Sequence, residues 1–133
     1  PITYKEFTSV KHIFEASGIV ETMEDSQINE ITSVSGSGPA YVYALILSMI
    51  KGAVAQGIDK QIATELVIQT VSGAVAALEK TGEDPEFALK KICSPNGTTL
   101  AAIDVFEKRG FDQTVADAML ACTRRAAEMG KEL

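Results

Sequence analysis

The chain has 133 residues, 46% of them hydrophobic and 23% charged, and its net charge is −6. This size fits one domain, and the negative charge argues against a nucleic-acid surface and against attraction to an anionic membrane. Two cysteines and one histidine are too few for a disulfide framework or a zinc site, and neither a signal peptide nor an apolar run of bilayer length is found, so we expect a metal-free, cytoplasmic protein with reduced thiols.

The first 23 residues indicate the end of an α/β unit. Thr3 and Glu6 have the spacing of a capping box, which predicts a helix start. The partly β-branched run from Ile19 to Met23 predicts a single strand. Because one helix and one strand cannot form a sheet, we interpret residues 1–23 as the last helix and strand of an α/β domain that lies upstream. The chain opens on Pro1 rather than methionine, which indicates an expression fragment or a processed product.

From Asp25 onward every segment is predicted to be helical, so residues 24–133 are assigned to a mainly α domain, a helical bundle. A short helix precedes a flexible break at Ser35–Pro39. The next helix, predicted from Ala40 to Gln56, is apolar on nearly all sides, and such a helix must be buried all round. In a domain of this size, we expect a second chain to supply part of that cover.

Four further helices are predicted, each starting at a residue whose side chain can accept hydrogen bonds from the free N–H groups of the first turn. Their N-caps are expected at Asp59, at Asp84, at Thr98 or Thr99, and at Asp112. Pro85 directly after Asp84 strengthens the second of these predictions, since proline is favoured at the first helical position.

The stretch Ser94–Thr99 is the most informative for chemistry. It joins a Pro-Asn-Gly turn to a helix start, where N–H groups are unpaired and the helix dipole is positive. With the hydroxyls of Thr98 and Thr99, these groups form a cradle for a small anion such as a carboxylate. Glu83 has no capping role and could face this loop across the short helix. By spacing alone, an ordinary capped turn is the commoner interpretation.

A second loop, Ser35–Tyr41, also runs into a helix start. It is not a dinucleotide fingerprint, because the third glycine of G-x-G-x-x-G would fall on Tyr41 and no full βαβ unit surrounds it. By itself, the pattern favours a helix break of small residues that lets two helices pack closely.

Taken in order and with their spacing, these motifs resemble the C-terminal part of pyrroline-5-carboxylate reductases over essentially the whole chain. The matching segments are Ser35–Tyr41, Gly57 with the helix capped by Asp59, Thr81–Pro85, Ser94–Thr99 and Arg109–Phe111. Asn96 stands where many relatives have glycine, but asparagine tolerates left-handed backbone angles. The resemblance implies that residues 1–23 end an N-terminal Rossmann domain and that residues 24–133 form the helical domain of an intertwined dimer, which can assemble further.

The resemblance also implies the reaction, a hydride transfer from NAD(P)H to the imine carbon of 1-pyrroline-5-carboxylate that gives L-proline. It assigns the substrate to Ser94, Asn96, Gly97, Thr98, Thr99 and, less securely, Glu83. Thr99 is the catalytic candidate, because it would orient the imine or relay its proton. The nicotinamide end of the cofactor is assigned to Ser35, Gly36, Gly38 and Pro39.

The cofactor, NADP or NAD, is expected to be held mainly by an N-terminal domain, because the chain contains no dinucleotide fingerprint. We therefore expect the 133 residues alone to be inactive. Two alternatives stay open. A non-catalytic helical dimerisation module explains the apolar helix but not the cradle at Thr98 and Thr99. The other alternative is the helical domain of a different small-acid dehydrogenase.

Overall fold

The computed structural model describes residues 2–131. Within this range the chain forms seven α-helices: α1 (Tyr4–Glu15), α2 (Ile28–Ile31), α3 (Gly38–Ala55), α4 (Lys60–Thr81), α5 (Pro85–Ile92), α6 (Thr98–Lys108) and α7 (Phe111–Met129). A 3₁₀ turn at Asp25–Gln27 precedes α2 and a π turn at Thr32–Gly36 follows it. The prediction of a mainly α domain is confirmed.

The predicted strand at Ile19–Met23 is wrong for the described chain. Residues 19–24 have no regular secondary structure, and Ile19 is 93% exposed. A strand forms only when a neighbouring strand accepts its backbone hydrogen bonds, and residues 2–131 contain no strand. The β-branched residues favour an extended backbone, but the described residues provide no neighbouring strand to pair with it.

Three helix starts are capped as the sequence predicted. The side chain of Thr3 accepts a hydrogen bond from the backbone N–H of Glu6, and the Glu6 carboxylate accepts one from the backbone N–H of Thr3 at 2.8 Å. Hydrogen bonds from the Thr3 side chain and then from its backbone lower the pKa of Glu6. Asp59 and Asp84 each accept two backbone N–H groups at the starts of α4 and α5.

Two other predicted caps are wrong. Helix α6 begins at Thr98 with Gly97 as the N-cap, so neither threonine caps it. Helix α7 begins at Phe111 with Gly110 as the N-cap, so Asp112 lies inside the first turn. Gly110 has a φ of 66°. Because glycine adopts this left-handed angle without strain, the chain reverses between α6 and α7 two residues earlier than the capping pattern indicates.

The helices enclose little core of their own. Helix α3 packs against α4, and α7 packs against α2, the π turn and α6. Among the described residues the buried hydrophobic side chains are Ala63 and Val67, both on α4, and the buried polar one is Ser33. The accessible surface is 11,002 Å², whereas a folded monomer of this mass exposes about 6,800 Å². The chain therefore does not close around itself.

Two segments are long and apolar enough to cross a membrane by length and composition alone, Asp25–Ala55 and Lys60–Thr81. Only 6% and 11% of their most apolar windows are buried within the chain. The sequence analysis found no uninterrupted apolar run of bilayer length. The helices of the structure continue through the charged residues that end those runs, so the helices reach a length that the runs do not. These segments need cover from outside the described residues.

Candidate functional site

The segment Ser94–Gly97 forms a β-turn that leads directly into α6. The backbone N–H of Gly97 donates to the carbonyl of Ser94 at 2.9 Å, with Pro95 second and Asn96 third in the turn. Asn96 has a φ of 59°, and the third position of a type II turn requires such a positive angle. The turn predicted from composition is confirmed, and asparagine supports it in place of glycine.

Gly97 is required by close packing rather than by its backbone angles, which are ordinary extended values. A Cβ atom at this position would lie 2.5 Å from Ser94 Oγ and 2.9 Å from the Ser94 carbonyl oxygen. The absence of a side chain at Gly97 therefore lets the Ser94 hydroxyl lie against the start of α6.

The start of α6 leaves its hydrogen-bonding groups unused. No side chain caps it, as at α3 and α7, whereas side chains cap α1, α4 and α5. In the described chain the hydroxyls of Thr98 and Thr99 make no hydrogen bond. The other threonines in helical turns each donate to the carbonyl four residues earlier: Thr8, Thr32, Thr64, Thr70, Thr81, Thr114 and Thr123. Free N–H groups, two hydroxyls and the positive end of the helix dipole make this start suited to a small anion.

Glu83 lies between α4 and α5 and is engaged by a cation. Its carboxylate is 2.9 Å from Lys91 Nζ, in the last turn of α5, and its side chain is 24% exposed. The same ammonium group lies 5.5 Å from the centroid of the Phe87 ring. This ion pair links the two ends of α5. Within the described residues Glu83 makes no hydrogen bond to the loop Ser94–Thr99.

The loop Ser35–Pro39 is more regular than the flexible break that the sequence indicated. The Ser37 N–H donates to the Thr32 carbonyl at 2.9 Å, which closes the π turn, and Ser35 Oγ donates to the Ile31 carbonyl at 3.1 Å. Pro39 occupies the first turn of α3, where its missing N–H forfeits no hydrogen bond. Single π turns inside helices are frequent at functional sites.

The two loops lie on different parts of the chain, and α7 contacts both neighbourhoods. It packs against α6, which follows the loop Ser94–Thr99, and against the π turn. Ser35 and Gly36 line an open cleft of about 500 Å³ that also involves α1 and residues 20–23. The lining of that cleft contains no residue of Ser94–Thr99. In residues 2–131, no three His, Cys, Asp or Glu side chains are grouped to hold a metal ion.

Ser37, Tyr41 and Cys122 form a small polar cluster that the sequence did not predict, because the sequence pattern places Tyr41 and Cys122 on apolar helix faces. Ser37 Oγ lies 3.1 Å from Cys122 Sγ on α7. The Tyr41 hydroxyl is enclosed and has no hydrogen bond of good geometry. Burial raises the pKa of Tyr41, the neighbouring Cys122 thiol adds to the increase, and Ser37 opposes it. The available signal was the position of Tyr41 in the first turn after the loop.

Similar proteins carry one family name. The sequence model of the family described as "Pyrroline-5-carboxylate reductase dimerisation" matches residues 25–129. A pyrroline-5-carboxylate reductase of Synechocystis is 39% identical over 96% of this chain and 48% of its own length. The enzyme of that name from Arabidopsis thaliana is 33% identical over 97% of this chain and 47% of its own length.

Solved structures agree. The pyrroline carboxylate reductase of Plasmodium falciparum with NADP bound has a TM-score of 0.88 and 31% identity, over 97% of this chain and 52% of that one. The pyrroline-5-carboxylate reductase of Coxiella burnetii has a TM-score of 0.89 and 30% identity, over 96% and 47%. The chain spans about half the length of the curated relatives it matches. It belongs to the pyrroline-5-carboxylate reductase dimerisation family.

Proposed function

We propose that the protein that carries this chain reduces 1-pyrroline-5-carboxylate to L-proline with NAD(P)H. The observation that supports this most directly is the uncapped start of α6 with the free hydroxyls of Thr98 and Thr99. A pyrroline ring with a carboxylate is a small anion of the kind that such a helix start binds. The relatives that match along the chain are named for this substrate.

In this proposal the turn and α6 bind the substrate carboxylate. Backbone N–H groups at Thr98 and Thr99, with the hydroxyls of Ser94 and Thr98, surround the carboxylate. Asn96, by its left-handed angle, and Gly97, by its N–H bond to the Ser94 carbonyl, shape the turn that places these donors. The Thr99 hydroxyl faces the ring nitrogen. The hydride adds to the carbon of the protonated imine, the π electrons of the C=N bond become the nitrogen lone pair, and the nitrogen keeps the proton that it already carries. Thr99 orients that nitrogen and hydrogen-bonds with it.

The cofactor is NADP or NAD, and this chain contributes the part of the site near the nicotinamide. Ser35, Gly36, Gly38 and Pro39 form a compact turn without long side chains, which allows a flat ring to approach the backbone. The cofactor supplies the hydride. No dinucleotide fingerprint occurs in the 133 residues, so we assign the pyrophosphate and ribose to an N-terminal Rossmann domain. The NADP bound in the Plasmodium falciparum structure supports a nicotinamide dinucleotide.

We assign residues 1–23 to that Rossmann domain and residues 24–133 to the helical domain. The family match starts at residue 25, which supports the boundary. Within the described part of the first segment, Phe7, Val10 and Phe14 are 39%, 45% and 62% exposed on α1. An apolar helix face that is this open fits a segment whose packing partner is another part of a larger protein. Pro1, Glu132 and Leu133 lie outside the described residues.

Membership in a dimerisation family supports homo-oligomerisation of this chain. We infer that the dimer is intertwined and that its partner, rather than lipid, covers α3 and α4. The chain exposes about 4,200 Å² more than a closed monomer of its mass. Obligate interfaces bury about 2,000–5,000 Å² in total, so this excess accommodates both a second copy and an N-terminal domain. We place the assembled enzyme in the cytoplasm.

Glu83 has a supporting role in the proposal. The Glu83 carboxylate forms an ion pair with Lys91 at the end of α5. In this way Glu83 orients α5 and so positions Ser94, which follows that helix. We include it among the substrate-site residues on that basis.

The test is turnover by the native protein that carries this chain, with 1-pyrroline-5-carboxylate and NAD(P)H, following dinucleotide oxidation and proline formation. Thr99→Val keeps the side-chain shape but removes the hydroxyl, and we expect kcat to fall about 100-fold, as for loss of one hydrogen-bonding group positioned at the reacting centre. Thr99→Ser should restore most of it. Thr70→Val is the matched control, because the Thr70 hydroxyl donates to Leu66 of its own helix.

Wild-type protein that forms no proline would overturn the proposed function and leave a helical dimerisation module. Full activity in Thr99→Val would remove Thr99 from the mechanism but leave the reaction in place. The 133 residues alone, purified separately, should show no turnover.

A further inference from the structure

We propose that Cys122 is a positioning residue that holds the loop Ser35–Pro39, through Ser37, in the conformation that receives the dinucleotide. The first step of this inference, that Cys122 holds the loop, depends on the contacts of the described chain. The last step, that the loop receives the dinucleotide, rests on the proposed function.

The contact between Ser37 and Cys122 ties the loop to a distant helix. Their Oγ and Sγ atoms are 3.1 Å apart, and the residues are 85 positions apart in the chain. The capping side chains and the back-bonded threonines described above act within one helix or at its start. The hydroxyl–thiol pair is therefore a tertiary contact, and it adds to the local hydrogen bonds that hold the backbone of the loop.

The hydrogen bonds that fix the backbone of the loop are local, and the Ser37 side chain adds a tertiary contact to them. Ser37 is the residue between the π turn and α3, and its side chain does not cap α3. Gly36 and Gly38 flank it, and a Cβ atom at Gly38 would meet nothing within 4 Å. Glycines on both sides leave the backbone with more accessible conformations than other residues would. One side-chain contact to α7 then has a large share in selecting among them.

The surroundings of the pair are partly shielded from water, since both Ser37 and Cys122 are half-buried. The Tyr41 hydroxyl, one helical turn after Ser37, is enclosed and has no hydrogen bond of good geometry. Cys122 is half-buried, and α7 packs directly on the π turn. A polar contact that is partly shielded from water is stronger than the same contact at the surface. Cys122 therefore differs from Cys93, which lies beside the substrate turn and makes no such contact.

The primary test is hydrogen–deuterium exchange of peptides that cover residues 32–41 in the native protein. Cys122→Ala should raise exchange at the Ser37 and Ala40 amides, which donate to Thr32 and Ser37. The expected increase is about two- to tenfold, the range for loss of one hydrogen bond. Cys122→Ser keeps a hydroxyl in place of the thiol and should restore wild-type exchange. Thr123→Ala is the matched control, because its hydroxyl bonds only to Met119 of α7.

The kinetic readout separates positioning from a general structural role. Cys122→Ala should raise KM for NAD(P)H by a similar factor, with KM for 1-pyrroline-5-carboxylate and Tm close to wild type. Equal exchange in Cys122→Ala and wild type, or an equal increase in Thr123→Ala, would overturn the inference. Faster exchange with an unchanged KM for NAD(P)H would refute the link to the cofactor. An inactive wild type would refute the proposed function, while the exchange data would still decide whether Cys122 holds the loop.

Discussion

Helices α5 and α6 follow one another in the chain and begin in opposite ways. At α5, one carboxylate oxygen of Asp84 accepts the N–H groups of Glu86 and Phe87 at 2.9 and 3.2 Å. At α6, Gly97 stands at the same position and offers no side chain. Helix α5 satisfies the N–H groups of its first turn from its own sequence, whereas α6 leaves them without a side-chain partner. Because α3 and α7 also start without a side-chain cap, the missing cap alone does not mark a site, and the proposal for α6 depends on its combination with the turn and the two threonine hydroxyls.

The difference has a cost that a purely structural helix would avoid. Relative to a side-chain cap, a glycine N-cap such as Gly97 costs a helix roughly a few tenths of a kcal/mol. Its two leading threonines also have no carbonyl within the helix to which they can donate. The start of α6 therefore has free backbone N–H groups and two threonine hydroxyls at the positive end of the helix dipole. It follows directly after a turn in which Gly97 packs closely against Ser94.

After Thr99→Val, the largest effect is expected from Gly97→Ala. The new Cβ atom would meet Ser94 Oγ at 2.5 Å and the Ser94 carbonyl at 2.9 Å, so the turn must open and the donors must move. We expect kcat/KM for 1-pyrroline-5-carboxylate to fall about tenfold or more, since overpacking of this kind costs about 1–3 kcal/mol. Steady-state kinetics on the native protein measures this. Gly130→Ala is the control, because its Cβ would make ordinary contacts from 3.6 Å outward, and an equal loss there would contradict the prediction.

A smaller effect of a different kind is expected from Asp84→Ala. Loss of the cap on α5 should lower the free energy of unfolding by about 1 kcal/mol, with kcat/KM changed by less than about threefold. Urea unfolding and steady-state kinetics on the same preparation give both numbers. Asp59→Ala removes the equivalent cap on α4 and should behave alike. If Asp84→Ala abolished turnover without loss of stability, the contrast between a structural start and a binding start would fail.

The smallest effect concerns the exposed capping box at α1. Hydrogen bonds from Thr3 lower the pKa of Glu6, so the ionised carboxylate favours the folded helix. This stabilisation is present above the ordinary glutamate pKa of about 4.3 and is lost as pH falls through the lowered pKa. Comparing the free energy of unfolding of wild type and Glu6→Gln across that range should show a difference that shrinks toward acid. A difference that grows as pH falls would contradict the sign.

Most helix boundaries could be predicted because capping is a local interaction. Thr3, Asp59 and Asp84 all cap where their sequence neighbours indicated. The caps at α6 and α7 could not, because Gly97 and Gly110 follow from turn geometry between helices. The strand at Ile19–Met23 failed for a related reason, since strand formation depends on a partner that a local pattern does not contain.

The candidate substrate turn could be predicted in part. Proline, asparagine and glycine in succession specify a turn whose middle residue has a positive φ, and Asn96 has it. The engagement of Glu83 by Lys91 follows from the folded α5. The meeting of Ser37 with Cys122 depends on how α7 packs on the π turn, and no spacing in the chain indicates it.

The sequence by itself determined that the chain is helical, where most of its helices begin, and that a polar turn precedes α6, because each of these depends on residues within a few positions. The tertiary structure decided which of those residues meet across the chain and that the helices enclose almost no core of their own. Such outcomes depend on packing between distant segments, whose free energies are set by burial and close contact rather than by local pattern.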